Sequence, residues 1–196
     1  RPRVPALTLF AFSSENWKRP QAEVGALMQL FMRALDREVD ELHSHDVRID
    51  FIGDLSAFSP DLRARMLAAM AKTASNLTLH ASIAVNYGGR WDIAQAARAA
   101  AAAVLRGELA VDDIDEARLS SYFCLAGLPP VDLLIRTGGE LRISNFLLWQ
   151  IAYAELYFTE KLWPDVDAVV LTEALHEYAR RERRYGRVSA QALTTD

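Results

Sequence analysis

The sequence predicts an α/β fold: a single domain, spanning residues 1–196, with a mainly parallel central sheet flanked by helices. Three observations carry that prediction. Short apolar, β-favouring runs alternate with segments of helical spacing along the whole chain, the pattern of strands joined by crossover helices. The 196 residues are 51% hydrophobic, enough to bury on the order of 70% of the unfolded surface around one core. No internal repeat and no linker-like change of composition divides the sequence.

The elements follow in order. Val4 to Phe12 is an almost unbroken apolar run ending in the polar cluster Ser13-Ser14-Glu15-Asn16, which predicts a strand buried on both faces. After Arg19-Pro20, Val24, Leu27, Met28, Phe31, Leu35, Val39 and Leu42 recur at three and four, giving a long amphipathic helix to about His43. Val47 to Gly53 reads as a second strand, and Ser59-Pro60 opens a helix through Leu62, Met66, Leu67 and Met70. Leu77 to Asn86 reads as a third strand, Trp91 to Leu105 as an Ala-rich helix and Asp115 to Leu125 as a shorter one. Val131 to Arg136 is a further strand, Asn145 to Ala152 a helix, Leu156 to Phe158 a last strand and Thr172 to Arg184 a terminal helix.

Composition excludes several classes of function. With 22 Lys+Arg against 26 Asp+Glu, the net charge of −4 argues against broad nucleic-acid binding, which needs an excess of cations facing the phosphates. One cysteine, Cys124, rules out an internal disulfide, and four scattered histidines do not make a structural zinc site. No apolar run approaches the roughly 20 residues that span a bilayer. A reducing, cytoplasmic setting is the expectation. Because the chain starts at Arg1 without Met and enters an apolar segment within a few residues, a natural N-terminal part is expected to precede it.

In open parallel sheets ligands bind beyond the carboxyl ends of the strands, so the polar residues after each apolar run are the candidates. Ser13-Ser14-Glu15-Asn16-Trp17-Lys18-Arg19 offers hydroxyls, a carboxylate, an amide and two cations, and reads equally as a solvated loop and helix cap. Asn86-Tyr87-Gly88-Gly89-Arg90-Trp91-Asp92 places paired glycines between a strand and a helix, where backbone N–H groups approach an anion closely. Arg136-Thr137-Gly138-Gly139-Glu140-Leu141-Arg142-Ile143-Ser144 joins a second glycine pair to two arginines and to Ser144, where a helix is expected to begin. Backbone amides, guanidinium groups and a helix start suit a phosphate or diphosphate; the competing reading is a plain N-cap with solvent-facing arginines. Neither pair matches the P-loop or the dinucleotide fingerprint. Glu155 stands in the otherwise apolar Ile151 to Phe158, and either an arginine neutralises it or it is a hard oxygen ligand for Mg²⁺.

Other conspicuous residues read as structural. His43 and His45 suit a helix C-terminus, His80 and His176 stand alone, and Cys124 lies in an apolar helix. The run Arg180 to Arg184 is a charged helix face.

Four stretches, Phe12 to Trp17, Asn86 to Arg90, Asp132 to Glu140 and Ile143 to Gln150, closely resemble the motifs of the cis-prenyltransferases, the bacterial undecaprenyl diphosphate synthases above all. The resemblance runs in order from about Ala6 to Arg187. It implies a homodimeric, Mg²⁺-assisted transferase that condenses farnesyl diphosphate with successive isopentenyl diphosphates, forming cis double bonds. The implied product is a long polyprenyl diphosphate, undecaprenyl diphosphate for the cell-wall carrier lipid. By the same resemblance Arg136, Arg142, Ile143 and Ser144 hold the isopentenyl diphosphate, with Trp163 nearby, and Glu155 ligates Mg²⁺. Ser13, Ser14, Glu15, Trp17 and Arg19 line the substrate site, and Asn16 lies near the carbon that loses a proton. A neutral amide is a poor base, so Asn16 is expected to orient a water or a diphosphate oxygen that takes it. Arg184 and Gly186 of Arg184-Tyr185-Gly186 are implied to reach the neighbouring subunit's site. Leu27, Met28, Phe31, Met66, Met70, Leu79, Ala81 and Ile83 are candidates for an apolar tunnel around the growing chain, or for ordinary core.

The chain departs from the family pattern in two places. The family's N-terminal strand, its Asp-Gly-Asn-Gly-Arg-Trp loop and the helix after it, which carry the essential aspartate, are absent, so the chain alone is expected to be inactive or nearly so. Leu141 stands where some members have histidine. The competing expectation is a non-catalytic cis-prenyltransferase-like partner subunit, which retention of Asn16, Arg136, Arg142, Ser144 and Glu155 opposes. A nucleotide- or RNA-binding module has only the arginines in its favour. The enzyme is expected in the cytoplasm, peripheral at the inner face of the membrane that receives its product.

Overall fold

Leu7, Thr8, Leu9, Phe10 and Phe12 favour extended backbone, and in the computed structural model, which describes residues 4–181, they lie in strand β1 (Ala6–Ser13). The chain divides into two compact units, Arg1–Pro129 and Pro130–Asp196. In the first, a 3-10 turn (Ser14–Lys18) leads from β1 to α1 (Gln21–Ser44), then to β2 (Val47–Ile52), α2 (Pro60–Thr73), β3 (Leu79–Tyr87), α3 (Gly89–Leu105) and the short α4 (Glu116–Ser120). The three strands are parallel in the order β1-β3-β2, with Ala6 opposite His80 and Val47 opposite Leu79. Their carboxyl ends therefore share one end of the sheet.

The apolar spacing of α1 and α2 builds the core on one sheet face. Leu35 and Val39 of α1, Leu62, Met66 and Ala69 of α2, and Phe12, Ile49, Phe51 and Val85 of the strands form one buried cluster with Phe58. Pro20 opens α1, and at α2 Pro60 takes the first helical position while Ser59 Oγ accepts the Leu62 N–H at 3.3 Å. Buried Thr73 ties α2 to the sheet, its Oγ1 accepting the Ile49 N–H at 2.9 Å. Six of the eight tunnel candidates belong to this layer: Met66 is fully buried, while Leu27, Met28, Phe31, Met70 and Ile83 are partly buried against the cluster, which does not include Leu79 or Ala81.

In the second unit β4 (Leu133–Arg136) and β5 (Glu155–Phe158) pair in parallel, Leu133 opposite Glu155 and Arg136 opposite Phe158. Helix α5 (Ala168–Arg180) follows, its N-terminus capped by Asp167, whose carboxylate accepts from Val169 and Val170 N–H groups.

The structure corrects the sequence reading at four elements, one of them α5, which starts at Ala168 and ends at Arg180 in place of the predicted Thr172 to Arg184. Residues 145–152 form a series of turns instead of a helix, because Ser144, Asn145 and Leu147 take left-handed backbone, φ 47°, 62° and 45°. What reads as helical spacing there serves to bury Leu147 and Ile151. Strand β1 is not buried on both faces: of its residues only Phe12 is buried, and Leu7 is 42% exposed. The reason is its place at the edge of a three-stranded sheet, paired among the described residues with β3 alone. Helix α4 ends at Ser120, five residues short of the predicted Leu125, and turns carry the chain on.

Candidate active site

At the carboxyl end of the first sheet the polar run after β1 folds into one 3-10 turn, held by its own amide. Asn16 Oδ1 accepts the Ser13 N–H at 2.8 Å, and the Asn16 carbonyl accepts the Arg19 N–H at 3.1 Å. That leaves the Asn16 Nδ2 donor uncommitted among the described residues. Ser14 donates its hydroxyl to Glu15 Oε2 at 3.1 Å, and Arg19 pairs with Glu23 one helical turn on. None of residues 14–18 is buried, so the turn presents its polar groups outward. Trp17 is fastened inward: its ring meets Phe12 edge-on at 5.0 Å and Phe58 at 5.6 Å, and its indole N–H donates to Asn86 Oδ1 at 2.8 Å.

Asn86, next to last in β3, takes a left-handed conformation, φ 48°, and is buried. Its Nδ2 donates to the Asp54 carbonyl at 2.8 Å, and the Asp54 N–H returns to the Asn86 carbonyl at 3.3 Å. Gly53 makes that crossing possible. It has φ 118°, and a Cβ there would lie 2.0 Å from the Val85 carbonyl oxygen. Neither Asp54 nor the role of Asn86 was legible from the sequence, because residues 32 positions apart meet only through the sheet.

The first glycine pair is built into a helix start that carries its own carboxylate. Gly88 and Gly89 are buried at the start of α3, and the negative charge that a helix N-terminus favours comes from Asp92 of the same first turn. Asp92 is 1% exposed and accepts from the Tyr87 hydroxyl at 2.8 Å and the Cys124 N–H at 3.0 Å. Burial, and next the Asp92 carboxylate, push the Cys124 thiol up to about 12, which agrees with a packing role. His80, which reads as solitary, meets Asp50 across β2 and β3 at 2.5 Å.

In the second unit the expected anion site is also rebuilt. Gly138 and Gly139 take left-handed backbone, φ 82° and 70°, but their N–H groups donate to the carbonyls of Lys161 at 2.8 Å and Thr159 at 2.9 Å. With no helix beginning at Ser144, neither glycine amides nor a helix start remain for a phosphate. The guanidinium groups do. Arg136, last residue of β4, is half-buried, and its Nε is enclosed without a hydrogen-bond partner among the described residues. Arg142 is exposed and pairs with Glu140. Ile143 is partly buried, Ser144 exposed and Trp163 62% exposed.

Glu155 opens β5, half-buried, and its Oε2 accepts from Arg181 Nη1 at 2.9 Å. Arg181 also donates to the Leu156 carbonyl at 2.9 Å. Of the two readings of this carboxylate, the arginine partner is thus present; nothing in the apolar run around Glu155 signals it. Oε1 has no partner among the described residues. No group of three His, Cys, Asp or Glu side chains among those residues could hold a metal by itself. Arg184 and Gly186 lie outside the described residues.

The comparisons with known proteins are concordant. The Prenyltransf family model, described as undecaprenyl diphosphate synthase, matches residues 1–186. The chain is 63% identical over 188 residues to the (2E,6E)-farnesyl-diphosphate-specific ditrans,polycis-undecaprenyl-diphosphate synthase of Xanthomonas axonopodis pv. citri, covering 96% of the chain and 73% of that relative. The Pectobacterium atrosepticum enzyme of the same name is 60% identical over 183 residues, 93% of the chain and 72% of the relative. Among solved structures, lavandulyl diphosphate synthase from Lavandula x intermedia, in complex with dimethylallyl diphosphate, superposes with a TM-score of 0.91 at 40% identity, over 94% of this chain and 80% of that one. A probable undecaprenyl diphosphate synthase from Campylobacter jejuni gives 0.82 at 35% identity, over 93% and 84%. A parallel α/β architecture, the ordered motifs at the strand ends and these matches together place the chain in the undecaprenyl diphosphate synthase family of prenyltransferases.

Proposed function

We propose that the chain condenses farnesyl diphosphate with successive isopentenyl diphosphates, forming cis double bonds and ending in a long polyprenyl diphosphate of the undecaprenyl class. One observation in the molecule carries the reading furthest: Arg136 Nε, enclosed at the carboxyl end of β4 without a protein partner. A buried unsatisfied donor costs on the order of 1–3 kcal/mol, and a diphosphate oxygen accepting from it would remove that cost. Arg142 and Ser144 supply further donors to the isopentenyl diphosphate, and Ile143 and Trp163 apolar contact. On the first unit, Ser13, Ser14, Glu15, Trp17 and Arg19 line the allylic substrate's site, and the uncommitted Nδ2 of Asn16 orients the group that takes the proton.

In the reaction the C–O bond to the allylic diphosphate breaks, the isopentenyl alkene bonds to the carbon released, and a proton leaves the adjacent carbon. The residues' task is to hold two diphosphates and to orient the proton acceptor. Magnesium fits the donor set in a limited way. The ion usually takes one or two carboxylates and completes its shell with phosphate oxygens and water, and Glu155 Oε1 offers one such ligand. Bound there, the ion would neutralise charge on the leaving diphosphate. Also part of the reading are action as one catalytic domain, a homodimer in which Arg184 and Gly186 reach the neighbouring subunit's site, and a cytoplasmic site with delivery of product to the membrane. No helix among the described residues is long and apolar enough to cross a bilayer.

The test is incorporation of labelled isopentenyl diphosphate onto farnesyl diphosphate with Mg²⁺. It is run on the 196-residue chain and on a chimera that supplies the parts of the Xanthomonas relative that the match leaves uncovered. Chain-length-resolved polyprenyl diphosphate from either protein supports the reading. Absence of product from both, with activity restored to a homologous subunit on mixing, would replace it with the partner-subunit reading.

A further inference from the structure

The turn Ser14–Lys18 poses a physical problem. It buries none of its residues, yet the proposed reaction needs Glu15, Asn16 and Trp17 in fixed directions. Beyond the Asn16–Ser13 bond and the packing of the Trp17 ring, a single exposed 3-10 turn has little to hold it, since its hydrogen-bond geometry is poor and its backbone is open to water. The bond from Trp17 Nε1 to Asn86 Oδ1, at 2.8 Å, fastens it to a residue 69 positions away.

The receiving group is anchored from three sides. Asn86 is 8% exposed, and its other amide atom, Nδ2, is committed to the Asp54 carbonyl at 2.8 Å. That second bond sets which face of the amide meets the indole: with Nδ2 on Asp54, only Oδ1 is left to accept from Trp17. The left-handed backbone of Asn86 is a conformation that asparagine tolerates better than most residues. The close crossing at Gly53 keeps Asp54 against the end of β3. Phe12 and Phe58 pack against the Trp17 ring, and the hydrogen bond fixes the direction of its N–H edge, toward Asn86.

We infer that Asn86 is a positioning residue of the prenyl-transfer site: it touches no substrate, and it orients Trp17 and with it the Ser14–Lys18 turn that carries Glu15 and Asn16. This rests on the proposed role of that turn in substrate binding. Two substitutions separate orientation from mere support of the strand ends. Asn86→Gly keeps the left-handed backbone and removes both side-chain bonds. Asn86→Asp keeps the acceptor for Trp17 and removes the donor to Asp54.

Two readouts are taken on each variant. The first is deuterium exchange of the indole N–H resonances, with Trp17→Phe assigning the Trp17 peak. Exchange at Trp17 rises about 10-fold in Asn86→Gly, the effect of one lost hydrogen bond of ordinary strength, and stays near the original rate in Asn86→Asp. The second is steady-state kinetics in whichever form of the enzyme makes product. There kcat falls about 10-fold in Asn86→Gly while KM for isopentenyl diphosphate moves less than about 3-fold, and Asn86→Asp recovers most of kcat. In a Trp17→Phe background Asn86→Gly has no further effect on kcat. Unchanged indole exchange in Asn86→Gly overturns the proposal. So do effects that multiply in the double variant, since they would make Asn86 a brace between strand ends only. If no form of the protein makes product, the prenyl-transfer reading fails, and the exchange data still decide whether Asn86 holds Trp17.

Discussion

Replacing Arg136 by methionine should separate binding from stability in a direction opposite to most substitutions of a half-buried arginine. The Nε of Arg136 is enclosed with no partner among the described residues, so the folded protein already bears a desolvation cost of about 1–3 kcal/mol at that atom. Methionine keeps much of the apolar stem's volume and removes the orphaned donor. Stability should therefore hold or rise by about 1 kcal/mol, whereas alanine leaves a cavity and lowers it. Binding should move the other way. A hydrogen bond to a charged group is worth about 1.5–3 kcal/mol, or about 10- to 150-fold in dissociation constant for isopentenyl diphosphate. Calorimetric titration with isopentenyl diphosphate and thermal unfolding of the same preparations measure both quantities. A methionine variant that loses several degrees of melting temperature while binding isopentenyl diphosphate as before would refute the reasoning, because Arg136 would then be a packing residue with a satisfied headgroup.

Four further outcomes follow from particular contacts. Gly53→Ala should cost about 3 kcal/mol or more in chemical denaturation, since its Cβ would stand 2.0 Å from a backbone oxygen at φ 118°; a change under about 1 kcal/mol would show that the strand ends can part. Glu155→Ala should abolish magnesium dependence with most turnover while altering unfolding free energy by less than about 1 kcal/mol, because the Glu155–Arg181 pair is about one-third exposed on both sides; full activity would remove the metal role. Cys124 should resist thiol reagents in native protein at pH 8 and react on unfolding, its thiol being pushed up to about 12. Below its ordinary value of 9.0 both states keep the proton; between there and about 12 only the unfolded state ionises. Stability should therefore fall as pH rises through that window, and Cys124→Ala should flatten the fall measured by denaturant titration.

Most of the fold was legible because it rests on local regularity. The three-and-four spacing from Val24 to Leu42 predicts α1 within two residues of its end at Ser44, and Ser59-Pro60 marks the start of α2 through a cap and a pre-set φ. The apolar runs locate all five strands. The turns at 145–152 were not legible: Leu147 and Ile151 are four apart, as on a helix face, while the left-handed backbone at Ser144, Asn145 and Leu147 has no marker such as glycine. The edge position of β1 was hidden too, because a run of apolar residues says nothing about how many strands flank it.

By itself the sequence determined the chemistry on offer: which residues carry charge, amide and hydroxyl, that they fall just after strands, and that their order matches the prenyltransferase motifs. Tertiary structure alone decided which of those groups are free to act. Backbone carbonyls of Lys161 and Thr159 take the Gly138 and Gly139 amides, Arg181 takes one oxygen of Glu155, and Asn86 takes the indole of Trp17, while Arg136 Nε is left without a partner. Composition and spacing record a donor or an acceptor at each position. Whether it is satisfied depends on a partner from 20 to 69 residues away, and only the folded chain brings that partner within 3 Å.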